Sequence, residues 1–210
     1  MGPAGEMKGP RLVLASGSPR RADLLEQIGL RFEILVPDLD EERLVQSVPL
    51  DSRSPSSIAL LLARAKAREI ASQRRRSLIL AADTVVVSDG DEVLGKPVDD
   101  GDALRMLRCL SGRSHRVITG TVLLDAAAGV EASGRPTTRV RMRSLSADVM
   151  AAYIASGEPR GKAGGYAIQG RGALLVSGVR GSFTNVVGLP LEILEGLFGS
   201  LGYSLWQYVL

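Results

Sequence analysis

The stretch LASGSPRRADLLEQIGL, residues 14–30, reads as the end of an apolar strand, a Ser-Gly-Ser-Pro turn and an amphipathic helix. Ser18 occupies the N-cap position, and Pro19 the first helical position, where its missing N–H costs nothing. Leu24, Leu25 and Ile28 recur at helical spacing and Gly29 ends the run. The anomaly is charge. Arg20 and Arg21 fall in the first helical turn, where the backbone dipole favours anions. Cations there add little to helix stability and point to something negative beside them.

The alternation of strand and helix continues outward. Residues 12–15 form the strand ahead of the turn, and RFEILV, residues 31–36, a second one. The acidic stretch PDLDEERLVQSVPLDSRS, residues 37–54, is expected to be a mobile loop. Ser54 and Pro55 open a helix to about residue 72, with Ile58, Leu61, Leu62 and Ala65 facing inward. SLILAADTVVVSDG, residues 77–90, is a long apolar strand interrupted by Asp83, and a turn leads to a return strand at Val93 and Leu94. Residues 99–111 read as a helix packing through Leu104, Leu107 and Leu110, followed by the strand SHRVITGTVLLDA.

In TTRVRMRSLS, Val140 and Met142 alternate with arginines, the period-2 pattern of a half-exposed strand. Ser146 caps a helix through Tyr153. A glycine-rich loop, a strand at residues 174–176 and a helix after Leu189 and Pro190 follow. Strands interleaved with helices predict an α/β fold with a mixed sheet. The apolar tail GYSLWQYVL is expected either to pack on the core or to form an interface.

Bulk properties exclude several classes. The 210 residues suffice for a sizeable core, and 45% hydrophobic with 23% charged residues is an ordinary globular composition. A net charge of +3, from 26 basic and 23 acidic residues, is too small to argue for nucleic acid as a partner. The arginines of RPTTRVRMR leave an RNA-binding module as an alternative, although a solvated strand face explains them more simply. A single cysteine, Cys109, excludes an internal disulfide and suits a reducing compartment. No apolar run approaches the ~20 residues that span a bilayer. Residues 1–10, MGPAGEMKGP, lack the core of a signal peptide and read as a flexible leader to a domain over 11–210. A cytoplasmic protein is the expectation.

Four places carry chemistry. The Ser16-Gly17-Ser18 turn offers hydroxyls and backbone N–H groups to one point, and arginine adds a planar fork matched to phosphate oxygens; a capped helix with two solvated arginines is the plain alternative. Asp83 sits in a run apolar enough to be buried on both faces, where a carboxylate is costly unless paired or metal-bound. It belongs at the mouth of a cleft, as a base or metal ligand, or else at a strand end with local hydrogen bonds. Lys96 lies in the constrained turn Gly-Lys-Pro, and Lys66 interrupts the inner half of its helix. In KAGGYAIQGRG, the amide of Gln169 can read the edge of a base with both donor and acceptor, unless the segment is only a connection. His115, the one histidine, is expected at the surface, and Cys109 as an inert buried thiol. Any metal would therefore take oxygen ligands, as Mg²⁺ or Mn²⁺ do.

Together LASGSPRR, AADTVV, GKP, KAGGYAIQG and NVVGLPL resemble, in order and spacing, the Maf-like nucleoside triphosphate pyrophosphatases, over residues 12–197. The resemblance implies a fold of the inosine-triphosphate-pyrophosphatase type, a mixed sheet flanked by helices with two lobes around a cleft, as a homodimer. It implies hydrolysis between the α and β phosphates with a divalent cation. Asp83 matches the catalytic proton acceptor, which would also touch the metal. Ser16, Arg21, Lys66 and Lys96 match the phosphate-binding set, and Glu41 a carboxylate linked to metal. Arg20, Thr84 and Gln169 match positions that separate branches of the family, and here resemble the dTTP/UTP branch, with modified pyrimidine nucleotides as further substrates. A non-catalytic nucleotide-binding regulator of cell division is the alternative within the same family.

Overall fold

The computed structural model describes residues 9–49 and 53–209; most of the expected leader lies outside them. Among the described residues the chain builds one eight-stranded mixed sheet. β1 (Arg11–Ala15) pairs in parallel with both β2 (Glu33–Leu35) and β3 (Ser77–Val87). β5 (Ser114–Asp125) lies antiparallel beside β3, with β7 (Thr137–Met142) and then β8 (Val176–Arg180) beyond it. The short β4 (Val93–Leu94) turns back on β3, and β6 (Val130–Gly134) on β5. The α/β fold with a mixed sheet flanked by helices is thus as the sequence predicts.

The central strands are apolar on both faces because both faces are covered. Leu12, Leu14, Leu78 and Leu80 join one cluster with Leu25, Phe198 and Tyr208. Val13, Ala15, Ile79 and Ala81, the alternate residues, face the other side with Ala63, Ala67 and Ile70. A further cluster gathers around the far end of β3 and β5, with Val86, Leu107, Val117, Tyr153 and Tyr166. β3 and β5 run from the first pair of clusters into the last.

The long helix α3 (Pro55–Gln73) is capped by Ser54, whose hydroxyl accepts from Ser57 N at 3.2 Å. Its buried face is Ala59, Leu62, Ala63, Lys66, Ala67 and Ile70, a rotation away from the expected Ile58, Leu61 and Ala65, which are half-buried. The small residues win because the helix lies very close to the sheet. A Cβ on Gly120 of β5 would stand 2.4 to 2.5 Å from backbone atoms of Ala59 and Leu60. Only alanine on one surface and glycine on the other permit that approach.

Other expectations change. Within the stretch read as a loop, α2 (Glu41–Gln46) forms, capped by the Asp40 carboxylate, which accepts from Arg43 N at 2.9 Å. Its acidic first turn suits the dipole, and it buries nothing, so no apolar period marked it. The 174–176 strand is instead a 3₁₀ turn over Gly170–Leu175 leading into β8, an exposed edge strand without apolar alternation. β6 was not foreseen, for the same lack of pattern. α1 (Pro19–Gln27), α4 (Asp100–Leu110) and α5 (Ala147–Ala155) fall where expected, although Leu104 is only half-buried. The short α6 (Phe183–Val187) was missed, and α7 (Leu194–Ser200) follows Pro190 after a further 3₁₀ turn.

The tail closes the core. Tyr208 is buried edge-on against Phe198, its hydroxyl donates to Pro10 O at 3.0 Å, and Val209 bridges Leu30. Cys109 is half-buried rather than buried, near Glu92 on the outer side of α4.

Candidate active site

Asp83 and Thr84 are the two residues of β3 that are not fully buried. They stand where β3 passes between the core clusters, and they open onto a cleft of about 490 Å³. All nine residues singled out in the sequence for catalysis, phosphate, base or metal line that cleft. No membrane-crossing helix is present among the described residues.

The close packing of α3 sets the centre. Lys66 follows Ala59 by two turns on the same buried face, so its stem runs along the sheet and its ammonium emerges in the cleft. There Nζ lies 2.6 Å from Asp83 Oδ1 and 2.8 Å from Glu41 Oε1. One cation bridges two carboxylates from a strand and from α2. Glu41 feels two opposing effects: burial raises its pKa, while the hydrogen bond and charge of Lys66, with Lys96 and Arg21, more than offset this and hold it below the usual carboxylate range.

Arg21 is buried, and burial pulls its guanidinium below the usual range against the attraction of Asp83. It holds together three segments. Nε donates to Gly188 O at 2.8 Å, Nη1 to Ser16 Oγ at 3.1 Å and Nη2 to Thr84 Oγ1 at 3.2 Å. The Ser16 hydroxyl also accepts from Ser18 N at 3.1 Å. Ser18 takes the extended conformation of an N-cap but makes no side-chain cap, leaving the start of α1 without that partner. Arg20, beside it, is half-desolvated, which lowers its pKa, and Lys162 is lowered by burial and then by the charge of Arg20. The cleft is strongly cationic on this side.

Thr84 is tied a second time. Its hydroxyl pairs with Thr119 Oγ1 at 3.0 Å, and Thr119 itself donates to Asn185 O at 3.0 Å. Since the Thr119 proton is spent on that carbonyl, Thr84 donates to Thr119 and accepts from Arg21. The sequence reading missed Thr119, Asn185 and Gly188. Asn185 is fully buried and donates to Val117 O and Thr138 Oγ1. An asparagine inside the apolar NVVGLPL run was the signal available for it.

Opposite, Gly95 O of the Gly-Lys-Pro turn accepts from Gly164 N at 2.9 Å, joining the turn that carries Lys96 to the glycine-rich segment that carries Gln169. His115, expected at the surface, is instead 1% exposed in β5 and meets Tyr166 of that segment. Its position inside an apolar-alternating strand, opposite Val140, sends it inward. The arginines of β7, Arg139 and Arg141, lie on its solvent face as the alternation predicts.

Fold and cleft together define a class. Residues 11–201 match the family described as Maf-like protein, and the chain belongs to that family. Particular relatives are close in sequence. A Ruminiclostridium cellulolyticum protein named dTTP/UTP pyrophosphatase is 48% identical over 190 residues, covering 90% of this chain and 95% of its own. One from Moorella thermoacetica with the same name is 46% identical, covering 95% and 99%. Another from Dictyoglomus thermophilum, again so named, is 42% identical, covering 92% and 97%.

Proposed function

We propose that this protein hydrolyses dTTP and UTP, and modified pyrimidine triphosphates of similar shape, to the monophosphate and pyrophosphate. The observation that carries the reading is the Lys66 ammonium shared by Asp83 and Glu41 on the floor of a cleft ringed by further cations. Three relatives whose names specify that activity support it. A regulator without turnover is not favoured, since those relatives carry the name of an enzyme.

The triphosphate is bound by charge. Arg21 and Ser16 at the start of α1, with Lys66 and Lys96 across the cleft, neutralise phosphate oxygens and fix the chain of phosphates for in-line attack at the innermost phosphorus. This accounts for arginine at a helix start. With Asp83 Oδ1 held by Lys66, Oδ2 is the oxygen left to take a proton from the attacking water. Arg20, Thr84 and Gln169 set specificity, the Gln169 carboxamide pairing with part of the acceptor-donor-acceptor edge of uracil or thymine.

The donor set fits a divalent cation. Two carboxylates reach one shared ammonium, and among the described residues no third His, Cys, Asp or Glu joins them. Two carboxylates with substrate phosphates are how Mg²⁺ is usually held, so Asp83 and Glu41 would hold it or Mn²⁺. Such an ion supplies charge neutralisation at the phosphates. A homodimer and a cytoplasmic setting belong to the same reading, the first resting on the family and the second on the single cysteine.

The test is pyrophosphate release from a panel of canonical and modified triphosphates with Mg²⁺ or Mn²⁺. dTTP and UTP should lead the panel, and Asp83→Asn should abolish release while the fold persists. Unaltered turnover in a folded Asp83→Asn protein would remove Asp83 from this role.

A further inference from the structure

The single histidine is buried in β5, and its Nε2 lies 2.6 Å from the Tyr166 hydroxyl, with the rings edge to face at 5.3 Å. Tyr166 is buried as well, yet it belongs to the glycine-rich segment and lines the cleft three residues before Gln169. Glycines on either side, Gly164, Gly165 and Gly170, all take left-handed backbone conformations, so the segment has little stiffness of its own. Its position has to be imposed from outside. Four fastenings use its backbone: Gly164 N to Gly95 O at 2.9 Å, Ala167 N to the Tyr153 hydroxyl at 3.1 Å, and, past Gln169, Arg171 N and Gly172 N to the Glu158 carboxylate at 3.0 and 3.2 Å. The His115–Tyr166 pair adds a hydrogen bond from a buried side chain in the middle of the segment to the central sheet, between Gly165 and Gln169.

Packing alone does not account for a histidine here. Its Nδ1 is buried with no partner among the described residues, and burial pushes the imidazole down to about 4, keeping it neutral. A leucine would fill such a site without an unpartnered nitrogen, which costs free energy in an apolar setting. What the imidazole adds is the bond to Tyr166.

We infer that His115 is a positioning residue for nucleotide selection: through the Tyr166 hydroxyl it fixes the segment that presents Gln169 to the base. This rests on the reading above in which Gln169 faces a pyrimidine. His115 touches no substrate, so its removal should loosen recognition of the base and leave the chemistry at Asp83 in place.

The experiment compares UTP with GTP in pyrophosphate-release assays of the full chain and three variants. Tyr166→Phe removes only the hydroxyl, His115→Leu removes the imidazole, and His115→Gln keeps an N–H near the Nε2 position. Tyr166→Phe and His115→Leu should raise KM for UTP about tenfold, the scale of one buried hydrogen bond, with kcat changed less than about threefold. Preference for UTP over GTP should narrow in both, and His115→Gln should recover most of it. Should His115→Leu not fold, Tyr166→Phe decides. A folded Tyr166→Phe or His115→Leu protein with unchanged UTP KM and preference overturns the inference, as does a parallel loss of kcat for both nucleotides. Wild-type protein inactive on UTP would instead bring down the underlying reading.

Discussion

Lys66 Nζ lies 2.6 Å from Asp83 Oδ1, with side chains only 11% and 13% exposed. The pair orients the candidate base, and the same ammonium separates Asp83 from Glu41. Lys66→Met would leave two carboxylates facing each other without their counter-ion, in a cleft that must accept a polyanion. Turnover should fall by about 10²–10³, and stability by about 1–3 kcal/mol. Lys66→Arg should not recover activity, because the planar fork cannot sit where a compact ammonium bridges two groups. Activity of Lys66→Met within a few-fold of wild type would separate the ion pair from catalysis.

That ion pair depends on how near α3 lies to the sheet. Gly120 is paired opposite Asp83 and faces the Ala59 backbone. A methyl group there meets backbone rather than a movable side chain, so Gly120→Ala must push the helix outward and carry Lys66 with it. The expected cost is about 1–3 kcal/mol in urea unfolding. A misplaced Lys66 should add a loss of about tenfold or more in kcat/KM. Normal activity in a destabilised Gly120→Ala protein would show that the site tolerates the displacement.

Much of this arrangement was legible in the sequence, for identifiable reasons. Central strands such as LVLA and SLILAA announce themselves because both faces are covered, and Asp83 stands out against that run. The N-caps Ser54 and Ser146 and the prolines after helix caps mark helix starts. What escaped lacked an apolar period: α2 buries nothing, and β6 and β8 lie at exposed edges. The inner face of α3 was misjudged because size complementarity with Gly120, not hydrophobicity, decides it. In the site, charged residues were found by their incongruity. The neutral supports Thr119, Asn185 and Gly188 were not, since a hydroxyl, an amide or a carbonyl acquires its role only from what the fold brings beside it. His115 was misread because its neighbour Arg116 suggested solvent, while strand alternation sends adjacent residues to opposite faces.

Thr119 makes a distinct prediction through the chain Arg21, Thr84, Thr119, Asn185. Thr119→Val keeps the shape but leaves the Asn185 backbone carbonyl without its donor and the Thr84 proton without an acceptor. Thermal or urea unfolding should show a loss of about 1–3 kcal/mol. Because Thr84 helps hold Arg21, KM for the triphosphate should rise more than kcat falls. An unchanged KM would mean that Gly188 O and Ser16 suffice to fix the guanidinium.

Gln169→Glu tests base recognition directly. A carboxylate retains acceptors but loses the amide donor, so it cannot complete the pair with a pyrimidine carbonyl. UTP and dTTP should lose about 1–3 kcal/mol of transition-state binding relative to other bases. The relevant readout is the ratio of kcat/KM values between nucleotides. An unaltered ratio would reject Gln169 as the reader.

Acid stability should report His115. Burial lowers its folded pKa from 6.5 to about 4, so between those values the unfolded chain binds a proton that the folded chain does not. Stability from this group is complete above about pH 6.5 and declines as pH falls toward 4, amounting to about 2 kcal/mol lost by pH 5. Carboxylates titrate in the same range, so the informative quantity is a difference of differences. Urea unfolding of wild type and His115→Gln at pH 7.5 and pH 5 should show the wild type losing about 2 kcal/mol more than the variant. Equal losses in the two proteins would mean that the imidazole is protonated in the fold, and that His115 is not the sealed, neutral partner of Tyr166 described here.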